Sequence, residues 1–248
     1  MNPMVAKSLP SVFTIGNLFL GVVSIIMAFH GQENNAALLV FLALLLDSLD
    51  GRVARALNAQ SDFGKELDSL SDVVSFGVAP AFIMYQAAFV SIEPALAWSV
   101  TAIFPICGAL RLARFNVRDG LPGYFVGLPI PAAGGVLSAL ALFKDDLHVS
   151  LLVLSTLALS YLMISTTKYP NFKRFGLPKP AIWAIPMVVA GAAVLAWSFP
   201  QAIPRIALVM LLGYALWGFK RNVDRLIRRV RKRGLRAEEA ERRKHHSA

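Results

Sequence analysis

The chain has 248 residues, 56% of them hydrophobic and 16% charged, with a mean hydropathy of +0.58 and a formal net charge of +10. That balance is too apolar for an ordinary soluble domain and leaves little chain to lie outside a membrane. A single cysteine, Cys107, excludes a disulfide framework, a thiolate metal site and a CxxC redox motif.

Crossing the hydrocarbon takes about 20 residues of helix, and apolar windows recur near 9–29, 36–57, 70–90, 95–115, 127–143, 148–164, 180–199 and 202–219. The expectation is an all-α integral membrane protein, a polytopic bundle of about eight transmembrane helices. The fifth and sixth windows are short enough to be read either as spans or as a re-entrant pair. The first window runs on without a small-x-small site at Met27-Ala28-Phe29-His30, so it is read as a retained span. Short polar or proline-bearing turns fall at 31–35, 91–94, 144–148 and 199–200, with longer links at 118–123 and 168–179. Pro129 and Pro131 are read as setting the start of the fifth span.

The charge is not spread evenly. Residues 220–248 hold 12 of the 25 Lys and Arg against 4 of the 15 Asp and Glu, leaving a surplus of only +2 for residues 1–219. We therefore divide the chain into a transmembrane catalytic domain, 1–219, and a basic cytoplasmic tail, 220–248, suited to anionic lipid headgroups. No aromatic residue is interleaved with the basic run, which speaks against nucleic acid as a partner. Placing turns on alternate sides puts 23 Lys and Arg on one side and only Lys144 and Arg205 on the other. By the positive-inside bias both termini face the cytoplasm, as in a multi-pass protein of the cell (inner) membrane.

Six of the fifteen acidic residues fall between Asp47 and Asp72, a window that includes the end of one apolar span and the start of the next. A charge at the bilayer centre costs about 2.5–3.5 kcal/mol on insertion scales, so these side chains must face inward and be neutralised. Asp47 and Asp50 are three apart, and Asp68 and Asp72 four apart, so each pair shares a helix face, and the turn between them lets the faces oppose. No histidine lies nearby, and oxygen-only ligation by Asp47, Asp50, Asp68 and Asp72 suits a hard divalent cation such as Mg²⁺, Mn²⁺ or Ca²⁺. Gly51 and Gly64 expose helix surface beside the carboxylates, and Arg55 offers a planar fork for phosphate. Together these features describe a diphosphate site between the second and third spans. Asp62 and Glu66 are read as solvated loop charges, and His30 and His148 as loop residues on the far side.

The string Asp47-Ser-Leu-Asp50-Gly51-Arg-Val-Ala54-Arg55, eight residues, then Gly64-Lys-Glu-Leu-Asp68-Ser-Leu-Ser-Asp72 resembles the signature DxxDGxxARx(8)GxxxDxxxD of the CDP-alcohol phosphotransferase family. Thr14-Ile-Gly-Asn17, Ser75-Phe-Gly-Val-Ala-Pro80, Leu110-Arg111-Leu-Ala-Arg114-Phe-Asn116 and Gly127-Leu-Pro-Ile-Pro131 are similar to its serine-using branch. The resemblance implies a homodimeric helical membrane enzyme that transfers the phosphatidyl group of CDP-diacylglycerol to an alcohol, here L-serine, releasing CMP near the cytoplasmic face. It implies a pair of divalent cations, Mg²⁺ or Mn²⁺, on Asp47, Asp50 and Asp68, with Asp72 as general base, and Gly51, Ala54, Arg55 and Gly64 cradling the CDP. Asn17 and Thr14 are placed towards the nucleotide, and Ser75 and Gly77 towards the alcohol. Arg111 and Arg114, three apart near the end of the fourth span, are candidates to receive the serine carboxylate. The rival readings are the same chemistry on glycerol 3-phosphate, an inositol phosphate or choline, and, more remotely, a cation transporter using membrane carboxylates.

Overall fold

A computed structural model describes residues 3–56, 61–117 and 124–170, together with positions 209, 212, 213 and 220. The window at 180–199, and all of the window at 202–219 and of the basic tail except those four positions, lie outside the described residues. Among the described residues, four helical stretches are long and apolar enough to cross a membrane: Val12–Phe29, Glu33–Gly51, Asp62–Ala87 and Pro94–Val117.

Helix α1 (Pro3–Phe29) stops where Gly31, with φ +71°, takes the left-handed turn that no other residue adopts cheaply. The Gly31 and Gln32 N–H groups return to the carbonyls of Ala28 and Met27, closing the helix end. Helix α2 (Glu33–Ala56) then runs back along α1. Ser24 donates to the Ala36 carbonyl at one end of this hairpin and Thr14 to Asp50 at the other, which fixes the register of the pair.

Helix α3 (Asp62–Asp72) begins at Ser61, whose Oγ accepts the Gly64 N–H at 3.0 Å, and Asp62 in the first turn favours the helix N-terminus. The predicted third span therefore starts eight residues earlier than its apolar window. Asp62, Lys65, Glu66 and Asp68 dilute the hydropathy of α3 without weakening its cap. Asp62 and Glu66 are exposed, as read, but they lie on a helix and not in a loop.

Beyond Asp72 the helix widens into a π segment, Val73–Val78, before continuing as α4 (Ala79–Ala87). The cause is local. Pro80 has no N–H and its ring would clash with the Phe76 carbonyl one α-turn back, a conflict that the wider turn relieves. Gly134 packs directly on that carbonyl: a Cβ added there would lie 2.4 Å from Phe76 O. Gly134→Ala is therefore expected to force the backbones apart and destabilise the protein by about 1–3 kcal/mol, read as a lowered melting temperature in detergent.

A short 3₁₀ turn, Phe89–Ser91, leads to α5 (Pro94–Val117), which returns antiparallel to α3 and α4. Pro129 caps α6 (Ile130–Ala141) and Pro131 sits in its first turn, as the sequence predicted. Ten of its twelve residues are buried, so α6 is wrapped by its neighbours, which suits a helix apolar all round. Helix α7 (Val149–Ile164) follows after a turn, capped by His148. Strands β1 (Tyr124–Val126) and β2 (Lys168–Pro170) form a two-stranded antiparallel ribbon, three residues long, that the helix periodicity did not foresee, with Phe125 opposite Tyr169.

The connections sort to two ends. The α1–α2, α4–α5 and α6–α7 turns share one end, where Lys144 pairs with Glu33 at 3.4 Å. The aspartates, Lys65, Arg111, Arg114 and the ribbon share the other.

Candidate active site

Three carboxylates meet at the second end. Asp47 and Asp50, one turn apart on α2, and Asp68 on α3 bring ligand oxygens within 4.8 Å of one another, with Asp50 only 6% exposed. Like charges this close repel strongly in a low-dielectric setting unless a cation lies between them. The donor set is all oxygen and half-buried or buried, which fits a hard divalent ion.

Asp72 lies one turn beyond Asp68 on α3 and is 7% exposed, with its Oδ1 buried and without a hydrogen-bond partner. It stands outside the three-carboxylate group but within electrostatic reach of Asp47, Asp50, Asp68 and Arg111. An orphaned carboxylate oxygen inside a bundle is costly in the protein alone and is suited to accept a proton from a bound donor.

Helix α1 buttresses this arrangement from behind. Thr14 Oγ1 donates to Asp50 Oδ2 at 3.2 Å, and the Thr14 carbonyl accepts from Ser71 Oγ at 3.2 Å, linking both acid-bearing helices to one residue. One turn on, Ser75 Oγ donates to the Asn17 carbonyl at 2.9 Å. Gly21 makes this approach possible, since a Cβ there would lie 2.8 Å from the Ser75 Cα. The Asn17 side chain is fully buried, and neither its Oδ1 nor its Nδ2 has a hydrogen-bond partner. Thr14, read from sequence as a nucleotide contact, is thus seen holding Asp50. Ser71, in the variable gap of the signature, was passed over because its partner is a backbone carbonyl 57 positions away.

Gly51 directly follows Asp50 on α2 and is half-buried. Gly64 lies one turn before Asp68 on α3, where its N–H completes the Ser61 cap. Ala54 and Arg55 fall on the last turn of α2, and their side chains lie outside the described residues.

The two arginines of α5 part company. Arg111 is 5% exposed and lies within electrostatic reach of Asp72. Arg114 instead donates to four backbone carbonyls, those of Ile164 at 2.8 Å, Val126 at 3.2 Å, Met163 at 3.4 Å and Ser165 at 3.2 Å. Asn116, two residues on, bonds Ser69 Oγ at 3.0 Å and Glu66 Oε2 at 3.3 Å, tying α5 to the helix that carries Asp68 and Asp72.

Known proteins share this chain's pattern well beyond the signature. The CDP-alcohol phosphatidyltransferase family profile matches residues 7–167. A CDP-diacylglycerol–serine O-phosphatidyltransferase of Bacillus subtilis (strain 168) is 40% identical over 166 residues, covering 67% of this chain and 92% of that protein. A protein of the same name from Helicobacter pylori (strain ATCC 700392 / 26695) is 36% identical over 220 residues, covering 86% of this chain and 90% of its own. An archaetidylserine synthase of Methanothermobacter thermautotrophicus is 41% identical over 177 residues, covering 68% and 72%. The matched region begins before Thr14 and ends at Thr167, so it contains every residue of the cluster and its supports; the chain belongs to the CDP-alcohol phosphatidyltransferase family.

Proposed function

We propose that this chain is a phosphatidylserine synthase, transferring the phosphatidyl group of CDP-diacylglycerol to the hydroxyl of L-serine with release of CMP. The observation that carries the reading is the convergence of Asp47, Asp50 and Asp68 beside the buried, unpartnered oxygen of Asp72. Serine is favoured over glycerol 3-phosphate, an inositol phosphate or choline because the names of all three relatives share serine, even where, in one of them, archaetidyl stands in place of phosphatidyl. A cation transporter would account for the acids but not for Gly51, Arg55 and Gly64 at signature spacing.

Asp47, Asp50 and Asp68 would hold two divalent cations, Mg²⁺ or Mn²⁺, which when bound draw charge from the diphosphate and stabilise the departing CMP. The chain's own residues supply the remainder. Gly51 and Gly64 leave bare helix surface for the diphosphate beside the acids, and Ala54 and Arg55 continue that cradle on α2. Asn17, with a free donor and a free acceptor in a buried position, suits the nucleotide end. Asp72 takes the proton of the serine hydroxyl as it attacks phosphorus. Arg111 receives the serine carboxylate and so aims the hydroxyl. Ser75 and Gly77 form the wall behind, with Ser75 tied to the α1 backbone.

The same reading places the aspartate end at the cytoplasmic face of the cell membrane, both termini inside, with residues 1–219 as the catalytic domain and 220–248 resting on anionic headgroups. The family resemblance supports a homodimer. The test is a headgroup panel on the purified protein in detergent with Mn²⁺ or Mg²⁺. CMP release is expected with serine, and product only with a non-serine alcohol overturns the assignment.

A further inference from the structure

Arg114 is spent on structure at the place where the reaction needs precision. The last carbonyls of α7 have no helical partners, and the end of a helix carries partial negative charge, so a cation there is favoured. The Arg114 guanidinium supplies that charge and distributes its donors over Met163, Ile164, Ser165 and Val126. Neighbouring backbone completes the node. The Leu128 N–H bonds the Leu162 carbonyl at 3.0 Å, and the Gly127 N–H bonds that of Thr167 at 2.7 Å. Gly127 has φ +83°, and a Cβ there would lie 2.1 Å from the Met163 carbonyl and 2.9 Å from Arg114 Nη2. Only glycine lets the chain pass so close to both.

With Nη1 and Nη2 both engaged by backbone carbonyls, the guanidinium offers no two-pronged edge to a substrate carboxylate. Its position nonetheless matters to the site, because Arg111 lies one turn earlier on the same helix, buried and within electrostatic reach of Asp72. We propose that Arg114 is a positioning residue: by clamping the end of α5 to α7 and the β1–β2 ribbon, it holds Arg111 where the acceptor's carboxylate binds, and so sets serine affinity without touching serine. The inference rests on the reading of Arg111 as the carboxylate receptor. Lysine cannot replace the clamp, since one ammonium presents a point charge in place of a planar fork.

The experiment compares Arg111→Lys, Arg114→Lys, the double variant and Gly127→Ala in the full-length protein, reading KM for serine, KM for CDP-diacylglycerol, kcat and melting temperature. Arg114→Lys is expected to raise the serine KM by about tenfold, from the loss of charge-assisted hydrogen bonds, while the CDP-diacylglycerol KM stays within about twofold. Gly127→Ala, which disturbs the node and leaves both arginines in place, is expected to shift the serine KM in the same direction. The double variant is expected to be no worse than Arg111→Lys alone, because a displaced receptor cannot be displaced twice. A serine KM that responds to Arg111→Lys but not to Arg114→Lys sinks the clamp and spares the function. Both substrate constants moving together with lost stability reduces Arg114 to a structural residue, which also overturns the proposal. A serine KM indifferent to Arg111→Lys removes the receptor, and the inference with it.

Discussion

Asp72→Asn is expected to lower kcat by about 10²–10⁴-fold, the range that a positioned general base contributes. The substitution keeps shape and volume and removes only the charge and the basic oxygen. Asp72 is buried, and its Oδ1 has no hydrogen-bond partner, so no packing or bonding network is broken. The variant also relieves repulsion from the three neighbouring carboxylates, and its melting temperature is expected to equal or exceed that of the unaltered protein. Loss of turnover with retained or raised stability is the signature of a chemical role. The check is a kcat measurement at saturating serine and CDP-diacylglycerol beside a thermal melt. A kcat within about threefold of the starting protein would return Asp72 to the status of a bystander.

Asp50→Asn is expected to abolish detectable CMP release through a different cause, the loss of a cation ligand. Asp50 is the most buried of the three converging carboxylates, and its Oδ2 is held by Thr14. Weakening of Mn²⁺ binding by more than about 10²-fold is expected, since even supporting residues around metal sites are worth 10–100-fold. Thr14→Val provides the graded comparison: it keeps the carboxylate and removes its hydrogen-bond donor, so Mn²⁺ affinity is expected to fall by about 10–100-fold. Titration of the metal-free proteins with Mn²⁺, followed by electron paramagnetic resonance, reads both without relying on turnover. Equal Mn²⁺ affinity in Asp50→Asn and the unaltered chain would separate the carboxylate cluster from metal binding.

The acid cluster was legible because two simple constraints act on it. Carboxylates at membrane depth must face inward, and spacings of three and four place them on one face of a helix. The helices described between residues 3 and 164, with α3, the π segment and α4 forming one continuous stretch, follow the apolar windows for the same reason, apart from the early start of α3. That start was hidden because its charges lower the local hydropathy, whereas Ser61 and the Gly64 N–H cap the helix irrespective of polarity. The π segment had a visible cause in Pro80, but its partner, Gly134, lies on another helix 54 positions on from Pro80 and packs against backbone.

The division of labour between Arg111 and Arg114 separates the two kinds of information. Amino-acid order alone determined that this chain inhabits a membrane, that Asp47, Asp50 and Asp68 converge between the second and third spans with Asp72 one turn on, and that two arginines stand near the end of the fourth. It did so because hydropathy and helical period are properties of the chain itself. Tertiary structure alone decided that one arginine is buried within electrostatic reach of Asp72 while the other is consumed by carbonyls 12 to 51 positions away. A backbone carbonyl has the same chemistry whatever residue bears it, so only the packing of α5 against α7 and the ribbon could reveal which of two like charges is spent on the backbone.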